Sequence, residues 1–377
     1  MLKLSIKPHW LLNKGGASRP LPRLFELLRA IEEQGSISGA AARLGVSYRH
    51  AWGLIRQADR EFGAPVLSMS RGRRARLSVL GEKLVAADRR IQARISPLLD
   101  SLASELEAEI ERARAGAEAV LNVHASHGYA IELLRSFLAR GNIAIDLRYR
   151  GSMEALASLA AANCELASFH APVGELQPAV LSFYAKWLDP ARQVLIHLSA
   201  RRQGIMVAAG NPKSILSLQD LARDGTRFVN RQFGSGTRIL LDLLLKREAI
   251  DSRAIAGYES GEFTHSGVAS CVASGLADAG FGVEAGAREF GLDFIPVIAE
   301  RCFLTCSRES LQTPAVKRIC DILLSKPFRA EAARLHGIDV SQAGTPLSLE
   351  EAFPELWPGA AESVGAPALP GARPCSD

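Results

Sequence analysis

The sequence has little that would mark a secreted, membrane-bound or metal-dependent protein. No apolar run is long enough to cross a bilayer, and Met1 is not followed by the charged start and apolar core of a signal peptide. The six cysteines lack the spacing of metal ligands, and the closest pair, Cys302 and Cys306, has no His or Cys companions. We therefore predict a cytoplasmic chain with no membrane partner, whose cysteines are buried free thiols.

Signatures of catalysis are also missing. The sequence contains no nucleophile elbow and no cofactor fingerprint, and the Gly-Ser-Gly at residues 234–236 lacks the Gly-Lys-Ser/Thr of a nucleotide P-loop. We predict that the chain is not an enzyme and needs no metal or cofactor. One alternative stays open: an enzyme or binding protein that acts on a small oxyanion or pterin, with a histidine near Glu284 as acid and base.

Charge is distributed unevenly along the 377 residues, a length that favours two or three domains. Residues 1–80 hold 14 Lys and Arg against 5 Asp and Glu, whereas the remaining residues hold 31 against 35. A basic head on a mildly acidic body predicts a nucleic-acid partner for the head alone.

The stretch Ser36–Phe62 has the pattern of two short helices joined by a tight turn. Apolar residues from Ile37 to Leu44 recur at helical spacing, Gly45 ends the first helix, and Ser47 can cap the second. Two such helices form a helix-turn-helix, which places polar side chains against DNA phosphates and base edges. A packed helical hairpin with a solvated basic face is the alternative.

Residues 65–77 predict two short strands that flank a turn at Gly72, with arginines around the turn. Such a wing reaches the DNA backbone or the minor groove. We therefore predict that the head, residues 1–80, binds a duplex DNA operator. The predicted DNA-binding residues are Ser36, Ser38, Ser47, Tyr48, Arg49, His50, Arg56, Arg71, Arg73, Arg74 and Arg76.

Residues 81–116 predict a long linker helix with a near-heptad apolar stripe formed by Leu84, Ile91, Ile95, Leu98, Leu102 and Leu106. An exposed stripe of this kind needs a partner, and a second copy of the chain is the simplest one. We therefore predict a homodimer, or a tetramer that contains such dimers. Because Pro97 has no backbone N–H, we expect the helix to kink or restart there.

From residue 117 to 345, short apolar strands alternate with helices, which predicts parallel sheets. Ligands of such folds bind beyond the carboxyl ends of strands, where helix N-termini present free N–H groups. Ser126, His127, Ser152 and His170 follow three successive predicted strands. We therefore predict a ligand site at this edge.

A second group of candidates surrounds the sequence RFVNRQFGSGTR, which predicts a strand, a Gly/Ser loop and a helix. Its backbone N–H groups, hydroxyls and arginines would form a cradle for an oxyanion. The candidates are Arg231, Gly234, Ser235, Gly236 and Thr237, joined by His265 and Glu284 from the units that follow. Residues 346–377 are predicted to form a largely disordered tail.

Two groups of motifs resemble known families. The runs SISGAAARLGVSYRHAWGLIR and FGAPVLSMSRGRRARLSVLGEKLV resemble the N-terminal winged helix of molybdate-responsive and LysR-type regulators. NRQFGSGTR, ADAGFG and the Thr-His at residues 264–265 are similar to the periplasmic-binding-protein-like domain that is fused to winged helices in bacterial regulators. The resemblance implies an α/β chain overall, with a winged helix-turn-helix, a long linker helix and a two-lobed α/β domain that holds ligand in its cleft.

The same resemblance implies a function. The chain would be a ligand-responsive transcriptional regulator that senses a small anion or a molybdenum-related metabolite, with a link to molybdoenzyme genes such as formate dehydrogenase. Relatives with the two-lobed domain are associated with molybdate, tungstate, the molybdenum cofactor or related small anions. The small molybdate-binding fold usually found behind this winged helix is absent, which counts against molybdate itself. A DNA-architectural protein without a ligand would leave the acidic second half unexplained.

Overall fold

The computed structural model describes residues 3–14, 17–21, 23–69, 75–115 and 120–357. These residues form an N-terminal head, a long linker helix and a C-terminal α/β body, residues 120–357. The predicted wing arginines Arg71, Arg73 and Arg74 lie outside the described residues, as does the end of the predicted tail, residues 358–377.

The described residues of the head form three helices and two pairs of antiparallel strands: β1 (Leu11–Lys14), β2 (Ala17–Pro20), α1 (Leu24–Gln34), α2 (Ile37–Arg43), α3 (Tyr48–Phe62), β3 (Leu67–Met69) and β4 (Ala75–Leu77). Helices α2 and α3 are the predicted helix-turn-helix. Strands β3 and β4 pair as the predicted wing.

Local sequence sets the ends of these helices. The Ser36 and Ser47 hydroxyls accept hydrogen bonds from the backbone N–H groups three residues later, each at 3.1 Å, and so cap α2 and α3. Gly45, in the turn between the helices, has a φ of +64°, a left-handed conformation that suits glycine. One serine cap and one glycine thus define the turn that aims α3.

The head is fastened to the linker helix around one buried carboxylate. Asp88 accepts a hydrogen bond from the Trp10 indole at 2.9 Å and pairs with Arg29 at 3.0 Å. The Trp10 ring also stacks on Phe25, with 4.8 Å between ring centroids. Because one buried group is shared by three segments, reorientation of the linker helix would carry the head with it.

The linker is a single helix of 37 residues, α4 (Val79–Ala115). Pro97 lies inside it and the helix continues past that residue, so the expectation of a restart is wrong. One face of α4 packs on the chain's own body, where Ala103, Ser104 and Ala108 are buried. On another face Leu98, Leu102 and Leu106 of the predicted stripe are exposed by 61%, 44% and 45%.

The body is organised around one sheet with the strand order β10-β9-β11-β8-β12-β7-β5-β6. Its strands are β5 (Val120–Ala125), β6 (Ala144–Tyr149), β7 (Leu166–Pro172), β8 (Gln193–Val207), β9 (Phe228–Arg231), β10 (Gly261–Glu262), β11 (Ala279–Val283) and β12 (Asp293–Ser307), with β13 (Ile338–Asp339) and β14 (Pro346–Leu347) paired to β8.

Two long antiparallel strands, β8 and β12, run through both halves of this sheet. At one end, β12 pairs with β7 and extends the parallel group β6-β5-β7; we call this half lobe 1. At the other end, β8 pairs with β11 and extends the parallel group β10-β9-β11, which forms lobe 2. The predicted two-lobed domain is confirmed, and the crossing strands are its connection.

Helices cover the sheet: α5 (Tyr129–Arg140), α6 (Ser152–Ala160), α7 (Gln177–Ser182), α8 (Gly236–Arg247), α9 (His265–Ala273), α10 (Glu284–Glu289), α11 (Pro314–Leu324), α12 (Lys326–Ala332) and α13 (Leu349–Ala352). In the described part of the chain, no helix is both long and apolar enough to cross a membrane. Cys164, Cys271, Cys302 and Cys306 are buried free thiols, as predicted, and Cys320 is half-buried.

The start of the predicted tail is ordered, which corrects the boundary at residue 346. Strand β14 and helix α13 carry the chain back over the crossing strands, and Phe353 is fully buried. Its ring lies 5.4 Å from that of Phe303 and 6.2 Å from that of Phe169, measured between centroids. The Gly/Pro-rich composition of the tail suggested that the entropic cost of ordering it would prevail. At the start of the tail, the aromatic contacts offset that cost.

We expect Phe353→Ala to lower the free energy of unfolding of the body by about 3–5 kcal/mol, the cost of a cavity left by a buried phenylalanine. Leu324→Ala, at a residue that is 48% exposed, is the matched control and should cost far less. Urea denaturation of the full chain measures both. Equal, small effects of the two substitutions would show that the segment is not part of the core.

Candidate functional site

A cleft lies between lobe 1 and lobe 2, above the middle of the crossing strands. Its empty volume is about 470 Å³, part of it open to solvent. We call it the effector cleft. Its lining residues come from both lobes and are Ser126, His127, Tyr149, Arg150, Gly151, Ser152, His170, Arg201, Arg231, Gln232, Ser235, Gly236, Thr237, Phe263 and His265.

Four helices begin at or beside this cleft. Gly151 and Ser152 open α6, Ser235 caps α8 through a hydrogen bond from Arg238 N, and His265 is the first residue of α9. The loop that carries Ser126 and His127 leads directly into α5. Helix N-termini carry unpaired N–H groups and partial positive charge, so their convergence favours a bound anion.

Arg231 supplies a full charge at the same place. It ends β9 and is buried, with Nε donating to Glu262 O at 3.2 Å and Nη2 donating to Phe263 O at 2.7 Å. Among the described residues, no carboxylate lies within ion-pair distance of it. Burial and the charge of Arg201 lower the pKa of Arg231 to about 9, so the guanidinium remains charged at neutral pH.

The second arginine of the cleft is balanced by a carboxylate. Arg201 Nε donates to Glu300 Oε2 at 2.8 Å, and Gln203 Nε2 donates to the same oxygen at 2.7 Å. Burial raises the pKa of Glu300, but Arg201, His170 and these hydrogen bonds outweigh burial and hold it below its usual value. Glu300 is therefore ionised and pairs directly with Arg201, whereas within the described ranges Arg231 has no carboxylate in ion-pair contact.

Three histidines contribute neutral rings to the cleft. Burial, followed by Arg231, lowers the pKa of His127 to about 4. Burial, followed by Arg201, lowers the pKa of His170 to about 3, and burial with both arginines takes the pKa of His265 well below its usual value. At neutral pH these rings act as hydrogen-bond donors or acceptors without a net charge.

The structure brings nine of the eleven predicted ligand residues to the effector cleft: Ser126, His127, Ser152, His170, Arg231, Ser235, Gly236, Thr237 and His265. Two predicted residues do not line it. Gly234 has a φ of +77° and forms the turn that leads to the cap of α8. Glu284 is buried at the start of α10, where it pairs with Arg202 at 2.6 Å and with Arg288 at 3.5 Å.

Sequence reasoning missed Arg201 and the cleft residues Tyr149, Arg150, Gly151, Gln232 and Phe263. Arg201 lies in the middle of β8, between the apolar runs at residues 194–198 and 204–209. A polar Arg-Arg-Gln triplet between two such runs was the available signal. The triplet reaches the cleft only because β8 and β12 run through both lobes, and the spacing of residues in the sequence does not reveal this.

On the head, the start of α3 is open to solvent. Ser47, Tyr48, Arg49, His50 and Arg56 are all exposed, opposite the buried residues Ala51, Ile55 and Ala58. Tyr48 stacks on Trp52 with ring centroids 6.5 Å apart, and the Arg56 guanidinium lies 5.7 Å from the centroid of the Trp52 ring. The stacking places the Arg56 guanidinium and the Tyr48 phenol on the same face of α3.

The other predicted DNA-binding residues that the structure describes are close by in the fold. Ser36 uses its hydroxyl to cap α2, Ser38 is exposed on the first turn of that helix, and Arg76 is exposed on β4 of the wing. Helix α3 and the wing share the buried core of the head, to which Ile55 and Ala58 of α3 and Leu67 and Leu77 of the wing contribute.

Comparison with known proteins identifies the families of both regions. Residues 134–324, half of the chain, match the PBP superfamily domain, and residues 22–82 match the lysR family of bacterial regulatory helix-turn-helix proteins. The chain is 32% identical over 197 residues to the uncharacterized protein YvgK of Bacillus subtilis (strain 168), covering 52% of this chain and 63% of YvgK.

Two further similarities are more limited. The chain is 37% identical over 99 residues to the molybdenum-pterin-binding protein MopB of Rhodobacter capsulatus, covering 25% of this chain and 36% of MopB. It thus spans less than two thirds of YvgK and of MopB. Among solved structures it is similar to a peroxide-bound mutant of OxyR from Corynebacterium glutamicum, with 16% identity, a TM-score of 0.43, and coverage of 84% of this chain and 94% of that one. Because the PBP superfamily model matches half of the chain, the chain belongs to the PBP superfamily. Its head carries a helix-turn-helix that matches the lysR family model.

Proposed function

We propose that the chain is a transcriptional regulator whose effector is a small oxyanion, with molybdate and related molybdenum compounds as the leading candidates. The head would bind a duplex DNA operator in the cytoplasm, and the effector cleft would bind the anion. The observation that carries the proposal is Arg231, a buried arginine with no carboxylate partner among the described residues, beside converging helix N-termini.

The charge of the cleft favours an anion over a neutral or cationic ligand. A buried charge without a counterion costs several kcal/mol, and an anion in the cleft would remove that cost. The hydroxyls of Ser152, Ser235 and Thr237 and the neutral histidines can take part in hydrogen bonds to its oxygens. The name of MopB points to molybdenum chemistry in one relative, which is why molybdate heads the set of anions to test.

The proposed switch is a change in the angle between the lobes. An anion that contacts residues of lobe 1 and residues of lobe 2 binds the closed arrangement more tightly than the open one, and it can shift the equilibrium only by that difference. A difference of roughly 1–3 kcal/mol changes operator affinity about 5- to 150-fold. Leu98, Leu102 and Leu106 on the exposed face of α4 would pair with a second copy, so a homodimer would present two α3 helices to DNA.

We expect Arg231→Gln to raise the Kd for the effector anion about 30-fold or more, since loss of one buried charge costs about 2 kcal/mol or more. Arg227→Gln is the matched control, because Arg227 precedes the same strand but pairs with Asp278 and is largely exposed. Calorimetry against molybdate, tungstate, sulfate and formate measures both variants. Equal affinities of the two variants would place the anion elsewhere.

We expect affinity for the anion to change by less than about twofold between about pH 6 and about pH 8. His127 and His170, with pKa values of about 4 and about 3, stay neutral in this range, and Arg231, with a pKa of about 9, stays mostly charged. A histidine of ordinary pKa that had to be protonated would lose about tenfold in affinity per pH unit above about 6.5. Calorimetry at constant ionic strength separates the two cases.

For the head, we expect Arg49→Ala and Arg56→Ala each to weaken binding to duplex DNA and to lower the slope of log Kd against log salt by about 1. Arg253→Ala removes the same charge from an arginine that is 89% exposed on the body and should change neither quantity. Fluorescence anisotropy across a salt series measures both. An unchanged slope in the two α3 variants would remove this helix from the DNA interface.

A further inference from the structure

The linker helix α4 spans both lobes of the body. Near its middle it contacts lobe 2: Arg94 pairs with both carboxylate oxygens of Glu262, with Nε donating to Oε2 at 2.8 Å. Closer to its C-terminus it covers β6, the edge strand of lobe 1. There the Ser104 hydroxyl accepts from Leu147 N at 2.8 Å and donates to Ile145 O at 3.2 Å.

Pro97 lies between these two attachments and explains one of them. In an α-helix the N–H of residue 97 would donate to the carbonyl of Ala93, but proline has no N–H. The freed Ala93 carbonyl instead accepts a hydrogen bond from Thr264 Oγ1 at 2.9 Å. The proline therefore creates an acceptor on α4 that a hydroxyl of lobe 2 takes.

The segment of lobe 2 that grips α4 is also the segment that holds the effector arginine. Arg231 donates to the carbonyls of Glu262 and Phe263, while the Glu262 carboxylate binds Arg94. Thr264 binds Ala93 and also caps α9 by accepting from Gly267 N at 2.8 Å. Residues 262–264 thus touch the cleft on one side and α4 on the other.

The hydrogen bonds that attach α4 to lobe 1 also involve a segment that lines the cleft. Ser101 Oγ of α4 accepts a hydrogen bond from the backbone N–H of Tyr149 at 3.0 Å, and Tyr149 lines the effector cleft. A change in the angle between the lobes would therefore move the two attachments of α4 relative to each other. The point between them is Pro97, where the helix lacks one of its own hydrogen bonds.

We propose that α4 is a strap across the two lobes, and that residues 262–264 transmit occupancy of the effector cleft to it through the Arg94–Glu262 ion pair and the Thr264–Ala93 hydrogen bond. The inference rests on the proposed effector site and adds the route by which that site acts. Arg94, Thr264 and Glu262 are positioning residues: Thr264 and Glu262 contact the linker helix, Arg94 belongs to it, and together they set its path relative to the cleft. The strap carries the signal to the head through the shared carboxylate of Asp88.

Hydrogen exchange in the full-length chain tests this route with sodium molybdate as the probe. We expect molybdate to slow exchange of the amides at the start of α8 and to change exchange across residues 90–99 by about two- to tenfold, the range of a single hydrogen bond. Thr264→Val and Arg94→Gln should keep the first effect and lose the second. Pro97→Ala, which restores an N–H to compete for Ala93 O, should also reduce the second effect.

Matched controls separate transmission from general loosening of the fold. Thr313→Val removes the cap of α11, where the threonine hydroxyl accepts from Val316 N, and it should leave both effects intact. Thr264→Ser keeps the hydroxyl and should behave as the wild type. If Thr264→Val fails to fold, Arg94→Gln and Pro97→Ala carry the test.

The possible outcomes separate a failure of the proposed strap from a failure of the proposed effector. Protection at α8 with no change at residues 90–99 in the wild type, or a change that persists in Thr264→Val and Arg94→Gln, would overturn the strap. If molybdate protects nothing, the proposed effector is wrong, and the strap is tested without ligand. In that case Arg231→Gln must alter exchange at residues 90–99 by at least about twofold relative to Arg227→Gln, and no alteration would overturn it.

Discussion

The body depends on a buried positive charge that its described residues do not neutralise. Arg231 is held by two backbone carbonyls, which orient the guanidinium and satisfy some of its N–H groups but supply no opposite charge. Nearby, the same fold neutralises Arg201 with Glu300, so an internal counterion was structurally available. The contrast between the two arginines is the basis for proposing an external anion as the partner of Arg231. The helix N-termini that converge on the cleft also favour a bound anion.

This charge also sets the state of its surroundings. Burial first, and then Arg231, lowers the pKa of His127 and His265, and burial with Arg201 does the same for His170. The histidines therefore remain neutral, and the positive charge of the cleft comes from its arginines. A cleft of this kind would discriminate by charge first and by geometry second, because the hydroxyls and rings around Arg231 can form hydrogen bonds to oxygens held at fixed separations. Specificity among oxyanions would then come from size and geometry, which the hydroxyls of α6 and α8 define from opposite lobes.

Much of this architecture was predictable from sequence, and the exceptions share one cause. The helix-turn-helix follows from helical periodicity, a glycine and a serine cap, and most of the cleft follows from polar residues at the ends of strands; both are local rules. Arg201 was missed because two apolar runs are joined into one strand, a fact that belongs to the crossing of β8 and β12. Glu284 was misplaced because its partner, Arg202, lies on that same crossing strand. The order of residues 346–353 depends on aromatic rings that are close in space and distant in sequence.

The linker helix shows how far one sequence pattern can serve two purposes. Its apolar stripe suggested a free helix that pairs with a second copy. Its small residues Ser101, Ala103, Ser104 and Ala108 nevertheless let the helix approach β6 closely. Serine hydroxyls of the helix then form hydrogen bonds with the backbone of this edge strand. An edge strand covered in this way cannot pair with another chain, so the proposed self-association would use the exposed stripe of Leu98, Leu102 and Leu106. A helix that is held on one side by its own body and, in the proposed homodimer, on the other by a second copy would have little freedom to rotate. The helix can still bend at Pro97, where one backbone hydrogen bond is replaced by a contact with lobe 2. In the proposed strap, a change at the cleft would therefore move α4 most easily at this residue.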